Sequence, residues 1–388
     1  MLAHSPPLPL VIDYADKDQN FTPVDEEDIK LALRHHDRVR RIRFAMVVPC
    51  LQTLIDAIDK EFPILEHLYI DPSTKTYKGF VLPETFRAPM LRHLVLLNFT
   101  LPVGSSLLAT ATGLVTFSLS IIPPSVPWNP VDVLYRVSSM PHLQTLRISF
   151  WSTVPNHYDG RQVVNAPNVT HVVLPNLRWF EFQGGPGGST YMEALLPHMS
   201  TPRLERLHVY FFNELTTSIP NLQQFISSAE NLRFTSASLK FDRCGFDLQA
   251  YPRKGSGMYA LSIVVYCVSH QWPLSSTTQI LGVLGPLFSM VMLLSVESWP
   301  RYNEADRVEF RGILRSFNNV KTLRVNAGLV RDISHALKVR DGESTMELLP
   351  ELKVICGAKV YPGDLFGYFS ALIDAREHAG HPVTLTSR

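Results

Sequence analysis

A six-residue pattern recurs along this chain and constrains its fold more than any other feature. Leu143-Gln-Thr-Leu146-Arg-Ile148, introduced by Met140-Pro141-His142, has apolar residues at its first, fourth and sixth positions. The spacing returns as Leu91-Arg-His-Leu94-Val-Leu96, Leu177-Arg-Trp-Phe180-Glu-Phe182, Leu204-Glu-Arg-Leu207-His-Val209 and Val320-Lys-Thr-Leu323-Arg-Val325. Successive strand residues point to opposite faces, so each copy reads as a short strand whose last two apolar residues enter a core. Further strands are predicted near Val39, Leu65, Leu114, Leu232, Met258, Leu287 and Leu352, giving about twelve turns of about 28 residues each.

A strand that returns at this interval, with helix signals between copies, is the signature of a leucine-rich repeat. The expected fold class is α/β: an irregular leucine-rich-repeat solenoid of about twelve strand–helix turns, with parallel strands on its concave face. A globular fold of 388 residues would divide into several domains, whereas a solenoid lengthens its core turn by turn. Two parts are expected: an N-terminal extended segment and capping helix over 1–36, and the solenoid over 37–388, ending in a capping helix.

Local signals fill in the turns. The run Leu8–Ile12 suits an edge strand, and Thr22-Pro23-Val-Asp25 starts a helix with Thr22 as N-cap. Helices are also predicted over Pro49–Phe62, after Asn129-Pro130-Val-Asp132, over Tyr191–Met199, after Pro220 and after Asn303-Glu304. The amphipathic segment Pro362–Gly380 is expected to seal the last repeat, and Gly184–Gly188 reads as a flexible loop. Gly255–Val296 has no charged residue, but Gly282, Gly285 and Pro286 interrupt it. It reads as two buried strands with a helix between them, and not as a membrane span.

Composition narrows the function. A hydrophobic fraction of 45% with 18% charged residues is that of a folded protein. A net charge of +1 argues against broad polyanion binding. The basic run Arg34–Arg43 follows the acidic Asp25–Asp28, which points to a solvated charged face or internal ion pairs and not to nucleic acid. Cys50, Cys244, Cys267 and Cys356 form no CxxC pair and suggest reduced thiols, hence a cytoplasmic or nuclear protein. The sequons at Asn98 and Asn168 have no secretory leader to support them. No catalytic, phosphate-loop or metal-ligand spacing occurs, so no enzyme activity, cofactor or metal is expected.

The third and fifth positions of the repeat face away from the core. They are Arg41 and Arg43, His67 and Tyr69, His93 and Val95, Thr145 and Arg147, Trp179 and Glu181, Arg206 and His208, then Thr322 and Arg324. A solvated strand face would carry similar residues. The densest set of interface types, and the candidate partner-binding site, is Arg147, Trp179, Glu181, Arg206, His208 and Tyr210.

The run Ile29-Lys-Leu-Ala-Leu-Arg-His35-His-Asp37-Arg-Val39-Arg-Arg-Ile42-Arg-Phe44, the strand Pro7–Leu10 and the repeated P-x-L-x-x-L-x-L pattern resemble fungal F-box proteins of the basidiomycete type. The resemblance implies the substrate-recognition part of a ubiquitin-ligase subunit that binds a protein or peptide. No F-box is visible before Pro7. Contact with a cullin adaptor is expected only if one exists upstream. A scaffold unrelated to ubiquitin transfer and a secreted or membrane-tethered repeat protein are the alternatives.

Overall fold

In strand after strand, buried apolar residues alternate with half-buried ones, as in Thr145–Phe150, where Leu146, Ile148 and Phe150 are buried. The computed structural model describes residues 8–15, 20–72, 80–101, 104–121, 128–150, 171–214, 219–242, 244–252, 257–267, 274–298, 304–339, 342–358 and 362–387. They belong to two compact units, Met1–Leu204 and Glu205–Arg388. Both are α/β.

The first unit comprises β1 (Leu10–Ala15), α1 (Pro23–Leu33), β2 (Val39–Met46), α2 (Val48–Asp56), β3 (His67–Pro72), β4 (Phe80–Val81), β5 (His93–Leu96) and β6 (Phe99–Thr100). It continues through α3 (Ser106–Thr110), β7 (Thr116–Ile121), α4 (Pro130–Ser138), β8 (Thr145–Phe150), β9 (Val172–Val173), β10 (Trp179–Gly184), α5 (Gly188–Leu195) and β11 (Met199–Ser200). Its sheet runs β1-β2-β3-β5-β7-β8-β10, and each adjacent pair is parallel. The strand expected within Leu8–Ile12 is β1.

Caps form where the sequence places them. Thr22 Oγ1 accepts from the Asp25 amide and Asp25 Oδ2 from the Thr22 amide, at 3.2 and 2.9 Å. Asn129 and Asp132 repeat the exchange at 2.9 and 3.3 Å. The helices cover the apolar face of the sheet. Tyr191 of α5 meets Phe150 and Phe182 at ring-centre distances of 4.9 and 5.7 Å, and its hydroxyl donates to the Trp128 carbonyl.

The segment expected to be a flexible loop, Gly184–Gly188, is a tight strand-to-helix turn. Gly184, Gly185 and Gly188 are buried, and Gly187 caps α5 with φ of +86°, a conformation that favours glycine. A Cβ on Gly184 would lie 2.8 Å from the Gly188 Cα and 2.9 Å from the Phe182 ring.

The second unit comprises β12 (Arg206–Phe212), α6 (Pro220–Ser228), β13 (Ser236–Phe241), β14 (Gly245–Tyr251), β15 (Leu261–Tyr266), α7 (Leu274–Leu284) and β16 (Leu293–Ser298). α8 (Glu304–Arg315), β17 (Thr322–Asn326), α9 (Val330–Ala336), β18 (Val354–Ala358), α10 (Pro362–His378) and β19 (Thr384–Ser387) complete it. The residue expected to help start α8, Asn303, lies outside the described residues.

Its strand order is β12-β15-β14-β13-β16-β17-β18-β19. This corrects two expectations. The sheet is mostly and not wholly parallel, because β14 is antiparallel to both β13 and β15. Where β13 gives way to β14, the Cys244 amide donates to Asp242 Oδ1 at 2.7 Å, and Gly245 lets β14 lie close against β15, because a Cβ there would collide with the Val265 carbonyl oxygen. Nor does the C-terminal helix end the unit, since β19 follows α10 and pairs in parallel with β18. The uncharged stretch forms β15, α7 and β16 as read. Among the described residues no helix is long and apolar enough to cross a membrane.

Candidate functional site

The six predicted site residues fall three on each unit, all on the half-exposed sheet face opposite the helices. In the first unit, β8 and β10 pair so that Thr145 lies opposite Trp179 and Arg147 opposite Glu181. The Arg147 guanidinium carbon sits 3.9 Å from the Trp179 ring centre, a cation–π stack. Its Nε lies 3.3 Å from Glu181 Oε2, in an ionic contact whose N–H is not aligned for a hydrogen bond. Gln183 Nε2 donates to Glu181 Oε1 at 2.9 Å, and Ser149 Oγ donates to Gln183 Oε1 at 3.2 Å. Three predicted residues are therefore one cluster, fixed by two neighbours, Ser149 and Gln183, that lie outside the third and fifth repeat positions. Trp179 is half-buried, and not the bare indole its position suggested.

Further along the same face, His67 and His93 stack flat, with ring centres 4.4 Å apart and planes 6° apart. His93 Nδ1 is 3.1 Å from Thr116 Oγ1. Arg43 lies over the Tyr69 ring and pairs with Asp13 at 2.9 Å. Arg40 pairs with Glu66 at 2.9 Å, so these arginines of the Arg34–Arg43 run are engaged in ion pairs. The signal for the histidine pair was present, because both occupy the third position of consecutive repeats. Only the parallel register makes them touch.

Burial lowers both histidine pKa values from 6.5, aided by His93 and Arg41 for His67 and by Arg92 for His93, while Glu66 opposes. The folded protein thus binds these protons less tightly than the unfolded chain. Stability should be level above about pH 6.5 and fall as pH drops through the folded values. Melting between about pH 7.5 and 5 should be steeper in pH for the wild type than for His67→Gln/His93→Gln. Equal slopes would contradict this account of the pair.

In the second unit, Arg206, His208 and Tyr210 alternate along β12. The His208 ring meets Tyr259 edge-on at 6.0 Å, and Tyr210 lies 6.3 Å from Phe212. The reversed strand β14 adds residues that the repeat pattern did not predict. Tyr251 donates to Gln249 Oε1 at 2.6 Å, and Gln249 Nε2 donates to Asp247 Oδ2 at 2.8 Å. Burial raises the Asp247 pKa against the pull of Gln249, His208 and Lys240.

No family model matches this chain, and neither does any curated protein. The functional reading therefore rests on its own residues. Among the described residues no group of three or more His, Cys, Asp or Glu side chains is arranged to hold a metal ion.

Proposed function

We propose that the chain is a protein-binding scaffold of the leucine-rich-repeat type and not an enzyme. In this reading it captures a protein or peptide segment on the exposed sheet faces, through Arg147, Trp179 and Glu181 on one unit and Arg206, His208 and Tyr210 on the other. The observation that carries it is the Arg147–Trp179–Glu181 cluster. Arginine and tryptophan contribute strongly to interfaces, and here Gln183 and Ser149 already order their surroundings, which lowers the entropy lost on binding.

The resemblance to F-box proteins extends the proposal to substrate recognition in a ubiquitin ligase. That extension rests on the quoted motifs alone, and engagement of a cullin adaptor would require an F-box encoded upstream. A cytoplasmic or nuclear location is supported by four free cysteines.

The test is affinity for a purified partner. Trp179→Ala should weaken binding by about 2 kcal/mol or more, while lost stacking costs only about 1 kcal/mol of stability. Phe366→Ala, at an exposed site on α10, should leave affinity unchanged. Wild-type affinity in a folded Trp179→Ala variant would place recognition elsewhere.

A further inference from the structure

The reversal at β14 does more than break the repeat. Pro252 and Gly257–Ala260, which join β14 to β15, stand beside the starts of the parallel strands β13, β16 and β17. Two grooves flank this connection and share Pro252 and Met258. The larger has a volume of about 600 Å³, and its lining includes Tyr251, Pro252, Met258, Met292, Leu293 and Lys321. Met258 and Met292 are 47% and 42% exposed. Methionine is an adaptable side chain favoured on surfaces that accept varied partners.

The charge of the groove is one-sided. Among the described residues no carboxylate lines it. The Lys353 amide donates to the Lys321 carbonyl at 2.9 Å, so the two lysines stand side by side just before β17 and β18. Both are exposed, and neither makes an ion pair among the described residues.

We propose that this groove is a second recognition site, separate from the cluster on the sheet face, for an extended peptide with an apolar half and an acidic half. The apolar side chains lie against Met258, Met292 and Leu293, and the carboxylates meet Lys321 and Lys353. From β14 to β18 is four strand steps, or roughly 19 Å at about 4.8 Å each, which an extended hexapeptide at about 3.3 Å per residue spans. An acyl chain would favour an enclosed, dry tunnel, whereas this groove is open and has Ser236 in its lining.

Three fluorescein-labelled hexapeptide pools test the assignment by retention on the immobilised full chain. The first carries Leu, Met or Phe at its first three positions and Asp or Glu at its last two. The second replaces the acids with Lys, and the third replaces the apolar residues with Ser. The first pool should be retained at least tenfold over both others. Lys321→Glu/Lys353→Glu should abolish that preference with an unchanged melting temperature, as should Met258→Ser/Met292→Ser. Trp179→Ala should leave it intact, which separates this site from the sheet-face reading. Equal retention of the pools, no retention of any pool, or a preference that survives the charge reversal would overturn the proposal.

Discussion

Truncating Phe182 to alanine is expected to destabilise the protein by about 3–5 kcal/mol, the cost of lost burial plus the cavity left behind. The ring is fully buried on β10, stacked on Tyr191 at 5.7 Å and 6.2 Å from Phe150. It also lies against the position where Gly184 leaves no room for a Cβ, so the tight turn into α5 limits collapse around the void. Glu181, one residue earlier, points to the opposite face, where it meets Arg147 and Gln183. Glu181→Ala should therefore cost less than about 1 kcal/mol. Chemical denaturation of the two variants checks this, and equal losses would mean that the strand faces are assigned the wrong way round.

The second large effect is predicted at Arg376 of α10. Its side chain is among the most completely buried in the protein, yet it has no carboxylate partner among the described residues. Nη2 donates to the carbonyls of Leu348 and Leu349 at 2.7 and 3.1 Å, and Nη1 to that of Pro350 at 3.3 Å. Burial lowers its pKa. Leu349 has φ of +50°, a strained conformation for a leucine, and its carbonyl is among those the guanidinium holds. Arg376→Met keeps the apolar stem but strands three acceptors, each worth about 1–3 kcal/mol when left unsatisfied. A loss of about 3 kcal/mol or more is expected. Arg376→Lys should recover only part of it, because an ammonium lacks the planar fork. Full recovery by lysine would show that charge, and not the three-way geometry, is what matters.

Much of the fold was legible because one-sided burial imposes a period of two on many of the core strands. Leu146, Ile148 and Phe150 point in, while Thr145, Arg147 and Ser149 point out. The strand β14 escaped because Phe246, Leu248 and Ala250 alternate correctly but lack the leading Leu-x-x-Leu. Its direction depends on hairpin pairing with β13 and β15, which a pattern of parallel repeats does not contain. The short polar strand β19 (Thr384-Leu-Thr-Ser387) likewise has too little apolar pattern to announce itself. Its pairing with β18 is a tertiary fact.

The candidate site was legible to the same depth. Alternation predicts which side chains leave the core, and it placed Arg147, Trp179 and Glu181 on one face. It cannot predict that the guanidinium lies flat on the indole or that His67 stacks on His93. Those contacts depend on the inter-strand register and on rotamers chosen across two strands. The groove beside β14 was out of reach for a simpler reason, since it exists only where the repeat is broken.

The central claim is that a partner is held on the sheet face that carries Arg147 and Trp179. Protection of introduced thiols tests it most directly. Thr145→Cys and Ser149→Cys flank the cluster, and Phe366→Cys on α10 supplies an exposed control. In the free protein all three should react with a maleimide. With a purified partner bound at saturation, labelling at positions 145 and 149 should slow at least tenfold while labelling at 366 is unchanged. Full reactivity at 145 and 149 in the saturated complex would contradict the claim.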